Sequence, residues 1–321
     1  MKSALPTRLS FTPEGPRVEW VFTDGSPFTE PFFEQTVQRL KRLPINARAA
    51  RPVTPLSALL EVGPGVPLAG LIFHVSRCGS TLLAQMLAAL PRHIVVAEAP
   101  VLDDILRAPR RDPRVTDEER IAWLRQAVAA LGQRKTPQEE RLFVKLDCWS
   151  IFELPLLSRA FPSVPLLFLH RHPTEVLVSL LHRPSITLIR DTVTPGQLGL
   201  TAIARDSLSR EEHAAAILGA FFRTALAQRA ALTPVSYEQL TDFVRTAMPG
   251  CAFAPDEQAL LREAAARDAK NPAQTFRADS AAKRQSADPA IVAAASRFSL
   301  PAYVEFLASC PDPLPLPSTL G

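Results

Sequence analysis

With 321 residues, 47% of them hydrophobic, the chain can bury one large core or two modest ones, and folding needs no covalent staples. Its four cysteines, Cys78, Cys148, Cys251 and Cys310, lie far apart with no spacing that would chelate zinc or build a disulfide framework, a usage that fits a reducing cytoplasm. A formal charge of +4 from scattered Lys and Arg points to a small anionic ligand rather than nucleic acid, and neither a ~20-residue apolar run nor a signal-peptide core suggests a membrane.

Residues 1–66 differ from the rest. Gly and Pro punctuate short apolar pieces such as 18–22, a helical stretch follows over 32–40, and Pro-rich linkage comes after it. This reads as an N-terminal arm or small subdomain that either covers one side of the core or caps a substrate site.

From Gly70 onward, short apolar runs alternate with longer amphipathic stretches, the pattern of a parallel sheet covered by helices. Strands are predicted over 71–75, 93–97, 142–146, 165–170 and 234–237. Leu82, Leu83, Met86, Leu87 and Leu90 recur on one helical face before Pro91 ends that helix, and 119–131 and 174–181 show similar spacing. Ser209 with Glu212 three residues on forms a capping box for a helix running to about residue 231, and further helices fall over 256–269 and 288–296. The tail 311–321 is Pro-rich and loose. The expected fold is α/β in three layers, a central, mainly parallel sheet of about five strands flanked by helices over 67–310.

The segment His74-Val75-Ser76-Arg77-Cys78-Gly79-Ser80-Thr81-Leu82-Leu83 places a glycine turn between a buried strand and a helix. Free backbone N–H groups and the helix dipole hold phosphate in such a turn. Gly79 lets the backbone come close, Ser80 and Thr81 add hydroxyl donors, and Arg77 offers a fork of N–H groups for phosphate or sulfate oxygens. A nucleotide triphosphatase loop would carry a lysine directly before its hydroxyl residue. Gly79 stands there instead, which removes most of the support for ATP or GTP chemistry.

The loop is similar to that of the sulfotransferase family, [PS]-[KR]-[SC]-G-[ST]-[ST]-x-L, and residues 76–83 match this form throughout. A second segment, Phe168-Leu169-His170-Arg171-His172-Pro173-Thr174-Glu175-Val176-Leu177-Val178-Ser179, resembles the same family's R-x-P-x-x-x-x-x-S motif, with His172 where an acidic residue is frequent. Arg171 leaves a strand and Ser179 follows about two helical turns later, so guanidinium and hydroxyl can converge on one phosphate.

The resemblance implies a P-loop-like fold and a cytoplasmic enzyme that moves a sulfuryl group from 3′-phosphoadenosine 5′-phosphosulfate (PAPS) to a hydroxyl- or amine-bearing acceptor, without metal, leaving 3′-phosphoadenosine 5′-phosphate (PAP). Residues Arg77, Cys78, Gly79, Ser80, Thr81 and Leu82 would grip the 5′ end, and Arg171 and Ser179 the 3′ phosphate. Glu98, at the carboxyl end of the predicted strand 93–97, matches the general base of the tyrosylprotein branch, to whose bacterial relatives the motifs come nearest; the cytosolic phenol and steroid branch uses a histidine instead, for which His172 and His182 are the rivals. A lysine ending an apolar strand needs solvent or an anion for its head, which makes Lys145 a candidate to stabilise the bridging oxygen. Arg277 and Lys283 fall where family members close a loop over the nucleotide, and Ser236-Tyr237-Glu238-Gln239-Leu240 resembles the family's architectural Y-E-x-L segment. Two alternatives of the same fold are an ATP-dependent phosphotransferase, with Asp103 and Asp104 as the nearby acids, and a nucleotide-binding protein without chemistry.

Overall fold

The computed structural model describes residues 4–48, 52–267, 280–285 and 287–310. At the N-terminus, β1 (Ala4–Thr12) and β2 (Gly15–Phe22) form an antiparallel hairpin, and β3 (Val53–Pro55) pairs antiparallel with the other edge of β2. Gly15 takes φ +115°, a turn conformation open to glycine. One face of the hairpin is apolar and buried, with Leu5, Leu9, Val18 and Trp20 inside, and the Trp20 indole N–H reaches Thr54 Oγ1 at 2.8 Å. The arm is therefore a small sheet, with the expected helix at Phe33–Lys41. It is fastened to the larger layer through Asp104, which accepts from the Leu9 amide at 2.9 Å and pairs with Arg8 at 2.8 Å.

The second sheet contains β4 (Leu68–His74), β5 (His93–Ala97), β6 (Arg141–Lys145), β7 (Leu166–His170) and β8 (Leu232–Ser236), all parallel, in the order β5-β6-β4-β7-β8. These are the five strands expected from sequence. Helices cover both faces, which is why β4 shows no polar alternation and Leu71, Ile72 and Phe73 are all buried. From β4 the chain first lays down β5 and β6 on one side and then β7 and β8 on the other. Ligand crevices of open α/β sheets form where the strand order reverses, at the carboxyl ends, and the loop after β4 lies there.

Helices Arg210–Ala227, Pro289–Phe298 and Leu300–Ala308 cover the β7 side, where Phe168 meets Phe306 and Phe222 edge-on at 5.2 and 6.2 Å. The Ser209 capping box is present, but the helix stops at Ala227, short of residue 231. The chain must already turn there, because β8 begins at Leu232, and Arg229 braces that turn on the Leu232 carbonyl at 2.7 Å. No single helix among the described residues is long and apolar enough to cross a membrane. Residues 311–321 lie outside the described residues.

Candidate active site

After β4 the backbone enters the left-handed region at Ser76 (φ 66°), Arg77 (φ 48°) and Gly79 (φ 85°) before the helix Ser80–Ala88 begins. Non-glycine residues hold this conformation only where surrounding contacts enforce it. Here the fully packed His74 ring does so: its Nδ1 accepts from the Ser76 amide and its Nε2 faces the Leu146 carbonyl, each at 3.0 Å. Burial and the Lys145 charge keep this imidazole neutral. Cys78 is wholly buried with its thiol on the Leu169 carbonyl at 3.3 Å, and burial pushes its pKa up to about 11, so only its backbone is available to a ligand.

Gly79 has a second reason to be glycine. A Cβ there would lie 2.9 Å from both Tyr237 Cδ2 and Leu240 Cδ2. The Tyr237 ring that fills this space also carries the Arg171 guanidinium 3.9 Å from its centroid. The residue expected to be architectural thus joins the loop after β4 to the Arg171 segment.

Beside the loop lies a cavity of about 120 Å3 whose wall includes Ser76, Arg77, Ser80, Thr81, Glu98, Lys145 and Asp147. Lys145, at the end of β6, is only 1% exposed and donates to Glu98 Oε1. Glu98 follows β5 in a left-handed turn (φ 57°), with its own amide on the Lys145 carbonyl at 2.7 Å, so two neighbouring strand ends hold the pair face to face. Burial works to raise the Glu98 pKa, but the Lys145 charge and the nearby His74 outweigh it and hold it down at about 2. Phe32, from the N-terminal arm, forms part of the wall with its ring 5.1 Å from Lys145 Nζ. The arm also contributes Leu5, Leu9, Val18 and Trp20 to the buried core, so it both covers the core and reaches the cavity wall.

The second motif stands at the next strand end. Arg171 is 3% exposed and its Nε donates to Glu175 Oε2 at 2.6 Å; Arg284, on the helix Ser280–Gln285, approaches the other oxygen at 3.2 Å. Ser179 is half-buried on the helix Pro173–His182. With His172 in the usual acidic position, Glu175 supplies the carboxylate that orients the arginine. Arg77 sends a guanidinium N–H to the Arg183 carbonyl at 2.5 Å, and its buried Nε has no hydrogen-bond partner among the described residues. Lys283 lies on the same short helix as Arg284, whereas Arg277 lies outside the described residues.

The structure therefore gathers Arg77, Ser80, Thr81, Glu98 and Lys145 around one cavity, with Arg171 and Ser179 on the adjacent strand and helix. Asp103 and Asp104 are committed elsewhere. Asp103 holds the Trp149 indole N–H at 2.6 Å and Arg107 at 2.8 Å, while Asp104 fastens the arm. Phe32, Trp149 and Glu175 complete the site without having been singled out in the sequence, and Asp147, noticed there only as the acid of a Lys-x-Asp setting like that of the tyrosylprotein branch, borders the same cavity. Of the first three, only Glu175, four residues after Arg171, carried a local signal.

The fold is that of an α/β protein whose glycine turn, at a helix N-terminus, stands beside a buried lysine at the carboxyl edge of a parallel sheet. Residues 71–250 match the sulfotransferase family, and the chain belongs to it; the family's chemistry is sulfuryl transfer. Among solved structures, the chain is similar to the sulfotransferase domain from the curacin biosynthetic pathway, with 17% identity and a TM-score of 0.43 over 73% of this chain and 98% of that one. It is also similar to the sulfotransferase STF9 from Mycobacterium avium, with 14% identity and a TM-score of 0.39 over 64% and 69% of the two chains. A sulfotransferase from Alicyclobacillus acidocaldarius gives 15% identity and 0.35 over 61% and 90%. Comparison with curated proteins gives no match.

Proposed function

We propose that the protein transfers the sulfuryl group of PAPS to a hydroxyl or amine acceptor, with PAP as the other product and no metal in the step. The observation that carries this reading is the meeting of the loop after β4 with the buried Lys145 at one cavity, one strand away from Arg171. Amides of residues 77–82, the hydroxyls of Ser80 and Thr81, and Arg77 hold the 5′ phosphosulfate. Arg171 and Ser179 take the 3′ phosphate, with Lys283 and Arg277 adding charge from the C-terminal segment. As the sulfur–oxygen bond to the donor phosphate stretches, charge gathers on the bridging oxygen, and Lys145 stabilises it.

Glu98 was the sequence's candidate for the base. Its carboxylate is the counter-ion of Lys145, and a group held near 2 has little affinity for a proton at neutral pH. Its contribution in this reading is to keep Lys145 charged and aimed.

Calorimetry with PAP in the absence of magnesium tests the donor assignment. Tight binding is expected, weakened at least tenfold in Arg171→Ala. Because that change strands the fully buried Glu175, Arg171→Ala/Glu175→Gln is measured beside it. Preference for ATP with magnesium over PAP would sink the proposal, as would undiminished PAP affinity in both variants. Release of PAP together with a sulfated product from an acceptor screen with labelled PAPS is the corresponding activity test.

A further inference from the structure

Six titratable side chains line the cavity, and five of them are unsuited to receive a proton. Arg77 and Lys145 are cations. His74 has both ring nitrogens engaged by the backbone, and Glu98 faces Lys145. Cys148 lies 3.2 Å from Thr187 Oγ1, and burial lifts its thiol to about 12.

The sixth is Asp147. It stands two residues beyond Lys145, where the chain leaves β6 for the 3-10 turn Cys148–Glu153, and it does not use its side chain to cap that turn. Among the described residues its carboxyl has neither a hydrogen-bond nor an ion-pair partner, although it borders the same cavity as Lys145 and Thr81. We infer that Asp147 is the catalytic proton acceptor of the transfer, a reading that rests on the proposed sulfuryl transfer and assigns its base.

The surroundings suit the task. Burial comes first in raising the Asp147 pKa, to about 8, followed by the carboxylates of Glu98 on the β5 end and Asp103 on the helix Pro100–Leu106; Lys145 on β6 and Arg107 beyond that helix oppose the rise. Both neighbouring carboxylates already have cations of their own, Lys145 for Glu98 and Arg107 for Asp103. Two clustered carboxyls are thus driven apart, one held ionised beside a lysine and one with proton affinity near neutrality, the arrangement in which acid–base roles separate. In the step itself, the acceptor's O–H or N–H proton passes to Asp147 as the acceptor's lone pair forms the new bond to sulfur. The old sulfur–oxygen bond breaks with its electron pair remaining on the PAP phosphate. Asp147 then releases the proton to solvent.

The test compares wild type, Asp147→Asn and Glu98→Gln with labelled PAPS and a panel of primary alcohols and phenols graded in acidity, alongside PAP calorimetry. For wild type, kcat/KM rises with pH to a plateau above about 8. Asp147→Asn binds PAP as wild type does, loses that rise, and falls at least a hundredfold on alcohols. On nitrophenols, which ionise without help, it falls less than tenfold. A merely structural role would depress all acceptors alike, and that result would overturn the assignment. So would an Asp147→Asn enzyme that keeps the pH profile and stays within threefold of wild type on alcohols. Wild-type protein that binds PAP yet sulfates nothing in the panel overturns the transfer reading together with this one, whereas an active Asp147→Asn overturns this one alone.

Discussion

Lys145 and Glu98 form a pair of unequal burial, and that inequality sets what happens when the pair is broken. The Lys145 side chain is 1% exposed while Glu98 keeps 26%. Glu98→Gln removes the counter-ion from an ammonium that water barely reaches, leaving the Phe32 ring 5.1 Å away and the neighbouring Asp147 carboxyl as its remaining attractions. Stranding a buried charge costs about 3–5 kcal/mol, and ~3 kcal/mol is expected here because Gln can still accept a hydrogen bond. Lys145→Met leaves a carboxylate that can turn to solvent or take a proton, so its cost is lower, about 2 kcal/mol. The double variant buries no unpaired charge and should lose only about 2 kcal/mol, a coupling of ~3 kcal/mol at the upper end for contacting residues. Urea unfolding of the four proteins at neutral pH measures all these quantities. Sulfuryl transfer gives an independent reading: Lys145→Met should lose about a hundredfold or more in kcat, and the double variant should not recover it. If the single costs simply add, or if Lys145→Met is the more damaging of the two, the pair as described is wrong.

Gly79→Ala forces an alanine to φ 85°, a penalty of about 1–2 kcal/mol, and drives its methyl into Tyr237; PAP affinity should fall at least tenfold and thermal stability should drop, both read from calorimetry. For Asp147 the folded-state pKa of about 8 stands above the ordinary 3.8, so between those values the native protein keeps a proton that the unfolded chain has released. Stability therefore falls as pH rises through that window, and Asp147→Asn should be more stable than wild type above about pH 8, with the gap closing toward about pH 4 in denaturant titrations. Burial lifts the Cys78 and Cys148 thiols to about 11 and 12, so at neutral pH iodoacetamide should modify the half-buried Cys251 well before either, as mass spectrometry would show.

What could be read from the sequence was what the chain encodes locally. Each of the five parallel strands is a short apolar run ending near a glycine, proline or charged residue, and each of the two family motifs lies within a dozen consecutive residues. The strands β1 and β3 escaped for local reasons too: β1 carries Pro6 and two polar positions close together, and β3 is three residues long and ends in proline. Phe32 and Asp147 could not be found this way. Phe32 reaches Lys145 from 113 positions earlier in the chain, only because the hairpin docks through Asp104. Asp147 was visible as Lys145's neighbour, but its significance comes from Glu98 and Asp103, which adjoining elements bring against it. The left-handed backbone at Ser76 and Glu98 is likewise held by hydrogen bonds to His74 and Lys145, not by the residues themselves.

The Tyr237 ring, wedged between Gly79 and the Arg171 guanidinium, gives the protein a gauge. In the proposed binding mode one rigid six-membered ring lies between the loop that takes the 5′ end and the arginine that takes the 3′ phosphate, so shared packing on that ring would tie the two positions together. A nucleotide phosphorylated at only one end would register against half of that gauge. Discrimination among adenine nucleotides can then arise from length as well as charge, and a single aromatic side chain well outside the reacting atoms would set the scale.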